Sequence, residues 1–337
     1  MNRITAILLL LMLLLGGIAY FLKTKSEKKG KTNQYSSDRN FAIEDEKDIY
    51  EIHVQQKSLP KYVFKRNEDH WRVNDQYRVD GNVIFNILKT LTKVKVDHIP
   101  IKKELTHIKS EIERIGIRVQ VFDKNENKLR DYYIGENTNK EEGTYFLMNG
   151  ADQAYTMMIP GLAGSLRSRF QHQMAKVRDR HMFRDLADDI VSITMEYPTD
   201  RVKGFTLIKE GSNYKVEKQY PGTKEINAPV NKRSAELYFK EFNKLASEAY
   251  ENENENKADI LKRTPFSKLS IQLKDGELKT LDLYPMSDIL DSTINTVEVE
   301  RLQSVERYFG NSNWGDFYLI QHRLIKGILR PYEYFFK

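Results

Sequence analysis

"DIVSITMEYP", residues 189–198, opens like an earlier stretch of the same chain, "DIYEIHVQQK", residues 48–57. Each begins Asp-Ile, places a second isoleucine three positions on and continues in an extended, alternating pattern, the signature of a half-buried strand. The segments after each phrase come in the same order. "KYVFKRNEDHWRVND" (61–75) is answered by "GFTLIKEGSNYKVEK" (204–218), with Tyr214 in the place of Trp71 and Val216 in the place of Val73. A helical period through Ile84, Ile87, Leu88 and Leu91, with Asp80 placed to cap it, is answered by one through Ala235, Tyr238, Phe239, Phe242, Leu245 and Ala249. "IGIRVQVFDKNENKLRDYYIG" (115–135) is answered by "FSKLSIQLKDGELKTLDLYP" (266–285), and "DQAYTMMIPGLAGSL" (152–166) by "GDFYLIQHRLIKGIL" (315–329).

Chance likeness between amphipathic strands would not preserve the order of these elements, so the chain reads as a duplication. The expected class is α+β: two tandem, duplicated modules of mostly antiparallel sheet with helices packed on one face, plus one N-terminal transmembrane helix. The boundaries are an anchor at 1–22, a basic tether at 23–40, a first module at 41–180 and a second, diverged module at 181–337. In the first module, a further helix carries Leu105, Ile108, Ile112 and Ile115 and ends at Gly116, which stands where a C-terminal cap belongs. The polar run "ENENENKAD" (251–259) reads as an insertion that stretches the second copy.

The composition suits packed domains. Of 337 residues, 40% are hydrophobic and 30% charged, with 19 Tyr and 16 Phe, well away from disordered chains. Lys+Arg and Asp+Glu stand at 54 against 48, a net charge of +6 that is too mild and too mixed to argue for nucleic acid. There is no cysteine, which excludes disulfides, thiolate metal sites, cysteine nucleophiles and a lipoprotein anchor.

"ITAILLLLMLLLGGIAYFL", Ile4 to Leu22, is 19 residues without a charge, enough to cross a hydrocarbon core of about 30 Å as a helix. Ile4, Leu11, Leu15 and Leu22 sample that anchor, and its run into Lys23 lacks the small-x-small site of a cleaved signal peptide. Membrane lipid is therefore the first expected partner. Lys23, Lys25, Lys28, Lys29 and Lys31 come after the segment and, on the positive-inside rule, argue for a cytoplasmic body. The tether to about residue 40 has no apolar period, and its r.m.s. reach of about 20–25 Å keeps the modules near the membrane.

No stretch carries a recognisable chemistry. The seven histidines (His53, His70, His98, His107, His172, His181 and His322) form neither H-x-x-x-H nor HExxH. No Walker loop, dinucleotide-binding glycine motif or nucleophile elbow is present. No catalytic, cofactor or metal residues are assigned. "GLAGSLRSRF" (161–170) comes nearest to an anion site, a glycine-rich turn opening a helix with Gly164, Ser165, Arg167 and Arg169. The bland reading, a turn that needs glycine for its backbone, has the greater weight. The aromatic end, with Trp314, Phe317, Tyr318, Tyr332, Tyr334, Phe335 and Phe336, reads mainly as core and a docked tail, with "RPYEYFFK" also suited to a partner or a bilayer interface.

Residues 116–170 resemble the signature region of the domain of unknown function 4340 family. A strand pair ends at Gly135, a strand with Tyr145 comes next, and Leu166-Arg167 starts the closing turn. The hairpin Trp71 to Val73 and the lead-in "SDRNFAIED" (37–45) resemble the form found in Bacteroidota. The resemblance implies a bacterial inner-membrane protein associated with ABC-type exporter or gliding-motility components, with its body outside the inner membrane, against the lysine count. It brings no catalytic or ligand residues. The expected function is a non-catalytic accessory or scaffold protein of the envelope that binds other membrane proteins. The alternatives are a binding module for envelope polysaccharide or peptide and, third, an enzyme with a cleft between the modules.

Overall fold

The computed structural model describes residues 38–337 apart from 58, 139–141, 185 and 287–304. The Ile4–Leu22 segment and most of the tether lie outside the described residues, among which no helix is long and apolar enough to cross a membrane. The chain divides into two compact units between Asp179 and Arg180.

In the first unit a single 3-10 turn, Glu46–Asp48, leads into β1 (Glu51–Gln56). Asp45 caps that turn by accepting the Lys47 amide at 2.8 Å. Then come β2 (Tyr62–Arg66), β3 (Trp71–Val73), β4 (Tyr77–Arg78), α1 (Gly81–Lys93), β5 (Lys95–His98), α2 (Lys102–Ile115), β6 (Ile117–Phe122), β7 (Lys128–Asn137), β8 (Thr144–Met148), β9 (Ala154–Met158) and α3 (Met174–Val177). They form one antiparallel sheet in the order β4-β3-β2-β1-β6-β7-β8-β9-β5. The Asp80 carboxylate caps α1 by accepting the Asn82 and Val83 amides, which would otherwise lack partners at a helix start.

The second unit repeats this plan. A 3-10 turn, Ala187–Asp189, leads into β10 (Ile190–Glu196), after which come β11 (Phe205–Glu210), β12 (Asn213–Lys218), α4 (Lys232–Glu241), β13 (Ala249–Tyr250), α5 (Lys257–Ile260), β14 (Ser267–Leu273), β15 (Leu278–Pro285), β16 (Arg307–Ser312), β17 (Phe317–Gln321) and α6 (His322–Ile325). Its order, β12-β11-β10-β14-β15-β16-β17-β13, is the first order with β4 removed.

The match extends to single residues. Ile52 lies between Phe64 and Val121, and Ile193 between Leu207 and Ile271. Val73 faces Phe64 as Val216 faces Leu207, which puts Trp71, opposite Arg66, in register with Tyr214, opposite Lys209. The Asn149 amide donates to the carbonyl of Asp131 at 2.9 Å, and the Asn313 amide to that of Thr280, at the corresponding position, at 3.1 Å. Ile49 and Ile190, the residues after the shared Asp, are both buried. The two quoted phrases are therefore equivalent first strands.

Two expectations are corrected. The helices do not share one face of each sheet. Alternate strand residues point to opposite faces. Ile84, Ile87, Leu88 and Leu91 of α1 pack with Tyr132, Ile134, Phe146 and Tyr155 in the main core. Ile108 and Ile112 of α2 pack instead with the intervening Tyr133, Tyr145, Leu147 and Ala154 on the other face. In the second unit α4 joins the main core, while Ile260 of α5 packs with Tyr284, Phe309 and Phe317 behind the sheet. Second, "ENENENKAD" adds no length: it replaces α2 in the connection from β13 to β14. The extra residues ahead of α4 lie in 219–231, where the first unit has β4. Gly116 is the C-terminal cap of α2, as its place in the sequence implied: with φ −60° its amide donates to the Ile112 carbonyl at 2.8 Å. It is glycine because a Cβ there would sit 2.3 Å from the Ile112 carbonyl oxygen.

Candidate functional site

The glycine-rich turn is tied into the first unit's interior. Arg167 is buried, and its guanidinium donates to the carbonyls of Ile134 and Gly135 at 3.2 Å each and of Ile115 at 2.6 Å. Ile115 is the last residue of α2, so this cation also sits at the negative end of that helix. Glu136 lies 3.4 Å from Nε. Arg169 donates to the Asn86 carbonyl on α1 at 3.2 Å, and the Ser165 hydroxyl to Asn137 at 2.7 Å. Gly164 has φ +97°, the left-handed turn that favours glycine. Arg167 thus fastens the loop to α2 and β7, with its donors taken up by protein.

Three histidines pair with a carboxylate one or two residues away. His53 pairs with Glu51 beside it on β1, His70 with Asp69 at 2.6 Å, and His98 with Asp97 at 2.7 Å. Burial pushes the His172 ring below the ordinary histidine range. His172 belongs to the first unit and His181 to the second. Among the described residues no group of three or more His, Asp or Glu is placed to hold a metal ion.

Two features are invisible in the sequence because their members are distant along the chain. Asp131 on β7 is buried and accepts from Arg118 at 3.0 and 2.9 Å, Lys128 at 2.8 Å, Asn149 at 3.1 Å and Gln120 at 3.3 Å. Burial pulls its carboxyl upward, but the bonds from Arg118 and Lys128 outweigh that and hold it below the usual carboxylate range. In the second unit, Glu196, Arg201, Tyr220, Arg263 and Lys268 line a polar concavity of about 570 Å³. Lys268 faces Glu196 on one neighbouring strand and Asp282 on the other, which offsets part of its charge.

The first sheet also ends in an exposed edge strand. β5 ends the first sheet beyond β9 and is exposed along most of its length. It runs into Ile99-Pro100-Ile101, where Ile99 is 46% and Ile101 62% exposed. The aromatic tail, in contrast, is docked. Phe335 is buried with its ring 4.7 Å from Phe205 and 5.3 Å from Tyr238, and its carbonyl accepts the Asn231 amide at 2.7 Å.

The fold is that of an α+β protein with two antiparallel-sheet units of one topology. The family described as domain of unknown function (DUF4340) matches residues 71–264, more than half of the chain, and the chain belongs to this family. The match starts in β3 and ends after α5, so the family's shared stretch takes in parts of both units and is not confined to the first. Comparison with curated proteins and with solved structures gave no match.

Proposed function

We propose that this chain is a non-catalytic, membrane-anchored accessory or scaffold protein of the bacterial envelope, whose sheet units bind other membrane proteins such as an ABC-type exporter or a gliding-motility-like complex. The observation that carries the reading is the open β5 edge beside Ile99 and Ile101. A strand edge offers unpaired main-chain groups to an added strand, and neighbouring apolar side chains supply the burial that makes such pairing stable. The apolar Ile4–Leu22 segment and the short tether support a position at the membrane, and the setting that the family resemblance implies supports a body outside the inner membrane.

The test is recovery of partners from gently solubilised membranes. The tagged chain should retain membrane proteins that are lost with Ile99→Asp/Ile101→Asp and kept with Leu278→Asp, a control on an exposed leucine of the second unit. Recovery that ignores the Ile99/Ile101 change would overturn the reading. Protease added to spheroplasts should digest the body while sparing a cytoplasmic marker; protection until lysis would place it inside, as the five lysines after the anchor argue.

A second reading, an envelope polysaccharide- or peptide-binding module, is favoured by the concavity that Tyr220, Arg201 and Arg263 line. Ligand-dependent protection lost with Tyr220→Ala and Arg201→Ala would favour it over the first.

A further inference from the structure

The two sheets end differently at the β3 and β12 side. In the first unit, β4 covers β3: the Val79 amide donates to the Trp71 carbonyl at 2.8 Å, and Val73 pairs with Tyr77. Among the described residues nothing pairs in this way with the corresponding residues of the second unit, Tyr214 and Val216, since β12 is the last strand and residues 219–231 form no strand beside it. After Lys218 the chain turns back toward β11, with the Gln219 amide donating to Gly204 at 3.2 Å and the Thr223 hydroxyl to Val202 at 3.2 Å.

The register decides which groups this leaves open. Glu210 faces Asn213 across a two-residue turn, which makes them an exchanging hydrogen-bonded pair. Bonded and non-bonded pairs then alternate, so Lys215 and Glu217 point their main-chain groups at β11, as the Gln219 bond confirms. The N–H and C=O groups of Tyr214, Val216 and Lys218 point the other way, to the open edge. Their side chains alternate too: Asn213, Lys215 and Glu217 are exposed, while Tyr214 and Val216 are half-buried against the core.

We propose that this edge pairs with the same edge of a second copy, antiparallel and centred on Val216. Val216 then meets Val216 of the other copy, and Tyr214 meets Lys218, with main-chain bonds at both. On the solvent face each Lys215 comes to stand opposite Glu217 of the other copy. Those two side chains already pair within one strand at 2.7 Å and are about half exposed. A lysine and a glutamate set symmetrically about one residue make the edge complementary to itself, as a two-fold interface requires, and opposite charges across a ladder favour the register that aligns them. Neighbouring registers lose that match. The inference stands apart from the proposed scaffold role, which uses the opposite edge of the other unit.

The experiment is the sedimentation of the full chain in detergent. The unchanged chain should be dimeric, and Lys215→Glu or Glu217→Lys alone, each bringing like charges together, should weaken the dimer by about tenfold or more. The double change Lys215→Glu/Glu217→Lys should restore it, because the exchanged charges again face opposites. Because the chain has no cysteine, full chains carrying Lys215→Cys and Glu217→Cys can also be mixed and oxidised. The mixture should give a disulfide-linked dimer at a higher yield than either alone, the two positions being close opposite each other in this register. A monomeric chain, or a dimer indifferent to the single charge changes, would overturn the proposal. So would a double change as weak as the single ones. Loss of partner capture in the Ile99/Ile101 variants leaves this dimer intact, so the two readings fail separately.

Discussion

The backs of the two sheets solve one packing problem in two ways. In the first unit, α2 lies close over β7, β8 and β9 and covers them with Ile108 and Ile112. Two of the strand residues beneath it are small: Gly135, where a Cβ would stand 2.8 Å from Ile112 Cγ1, and Ala154. The same register positions in the second unit hold Tyr284 and Phe317, and among the described residues only the short α5 packs above them. Phe317 stacks on Phe309 with ring centres 5.5 Å apart, so aromatic rings take the volume that a helix takes in the first unit. Equivalent backbones do not require equivalent fillings; they require the same space to be filled.

The largest expected effect breaks the aromatic filling. Phe317→Ala should cost the second unit about 3–5 kcal/mol, since α5 is too short to close over the gap. Urea unfolding of the full chain measures it, and a loss near zero would mean that the stacked rings are not what seals this face.

Next is a feature that the second unit lacks, for Thr280 stands where Asp131 does. Asp131→Asn should cost about 2–3 kcal/mol, because Arg118 and Lys128 lose the charge that pairs them in a partly dry site. The folded carboxyl lies below its unfolded value. Its contribution is therefore complete above the ordinary carboxylate range, near pH 4, and is lost as pH falls through the folded value. The unfolding midpoint of the unchanged chain should drop more steeply on acidification than that of the variant. Parallel pH profiles would show that the carboxylate's charge contributes nothing.

The smallest change sharpens the comparison from the other side. Gly135→Ala should cost about 1–2 kcal/mol by forcing Ile112, and with it α2, away from the sheet. Ile112→Ala combined with it should give less than the sum of the two single losses, because the methyl then has room. Strict additivity would show that close approach is not the reason for the glycine.

The repeat was legible in the sequence because strand alternation and turn residues are local, and order along the chain is all that the comparison of copies needs. Asp80 as a cap, the core positions of α1 and the equivalence of Trp71 and Tyr214 come from such patterns. The face on which α2 packs was not legible, since its apolar stripe at Ile108 and Ile112 fits either side of a sheet. Nor was the fate of Arg167: a glycine-rich turn with arginines after it reads alike whether the guanidinium meets an anion or, as here, the carbonyls of Ile115, Ile134 and Gly135.

By itself, then, the sequence determined that two α+β units of one plan come after an apolar N-terminal segment. Only the tertiary structure decided which residues those units leave open. It brought Arg118, Lys128 and Asn149 to Asp131, placed glycine against Ile112, and, among the described residues, ended the second sheet at β12 where β4 covers β3. Periodicity fixes which way a side chain faces along one strand, whereas edges, clamps and close approaches depend on which strands become neighbours, and that is settled when distant segments pack.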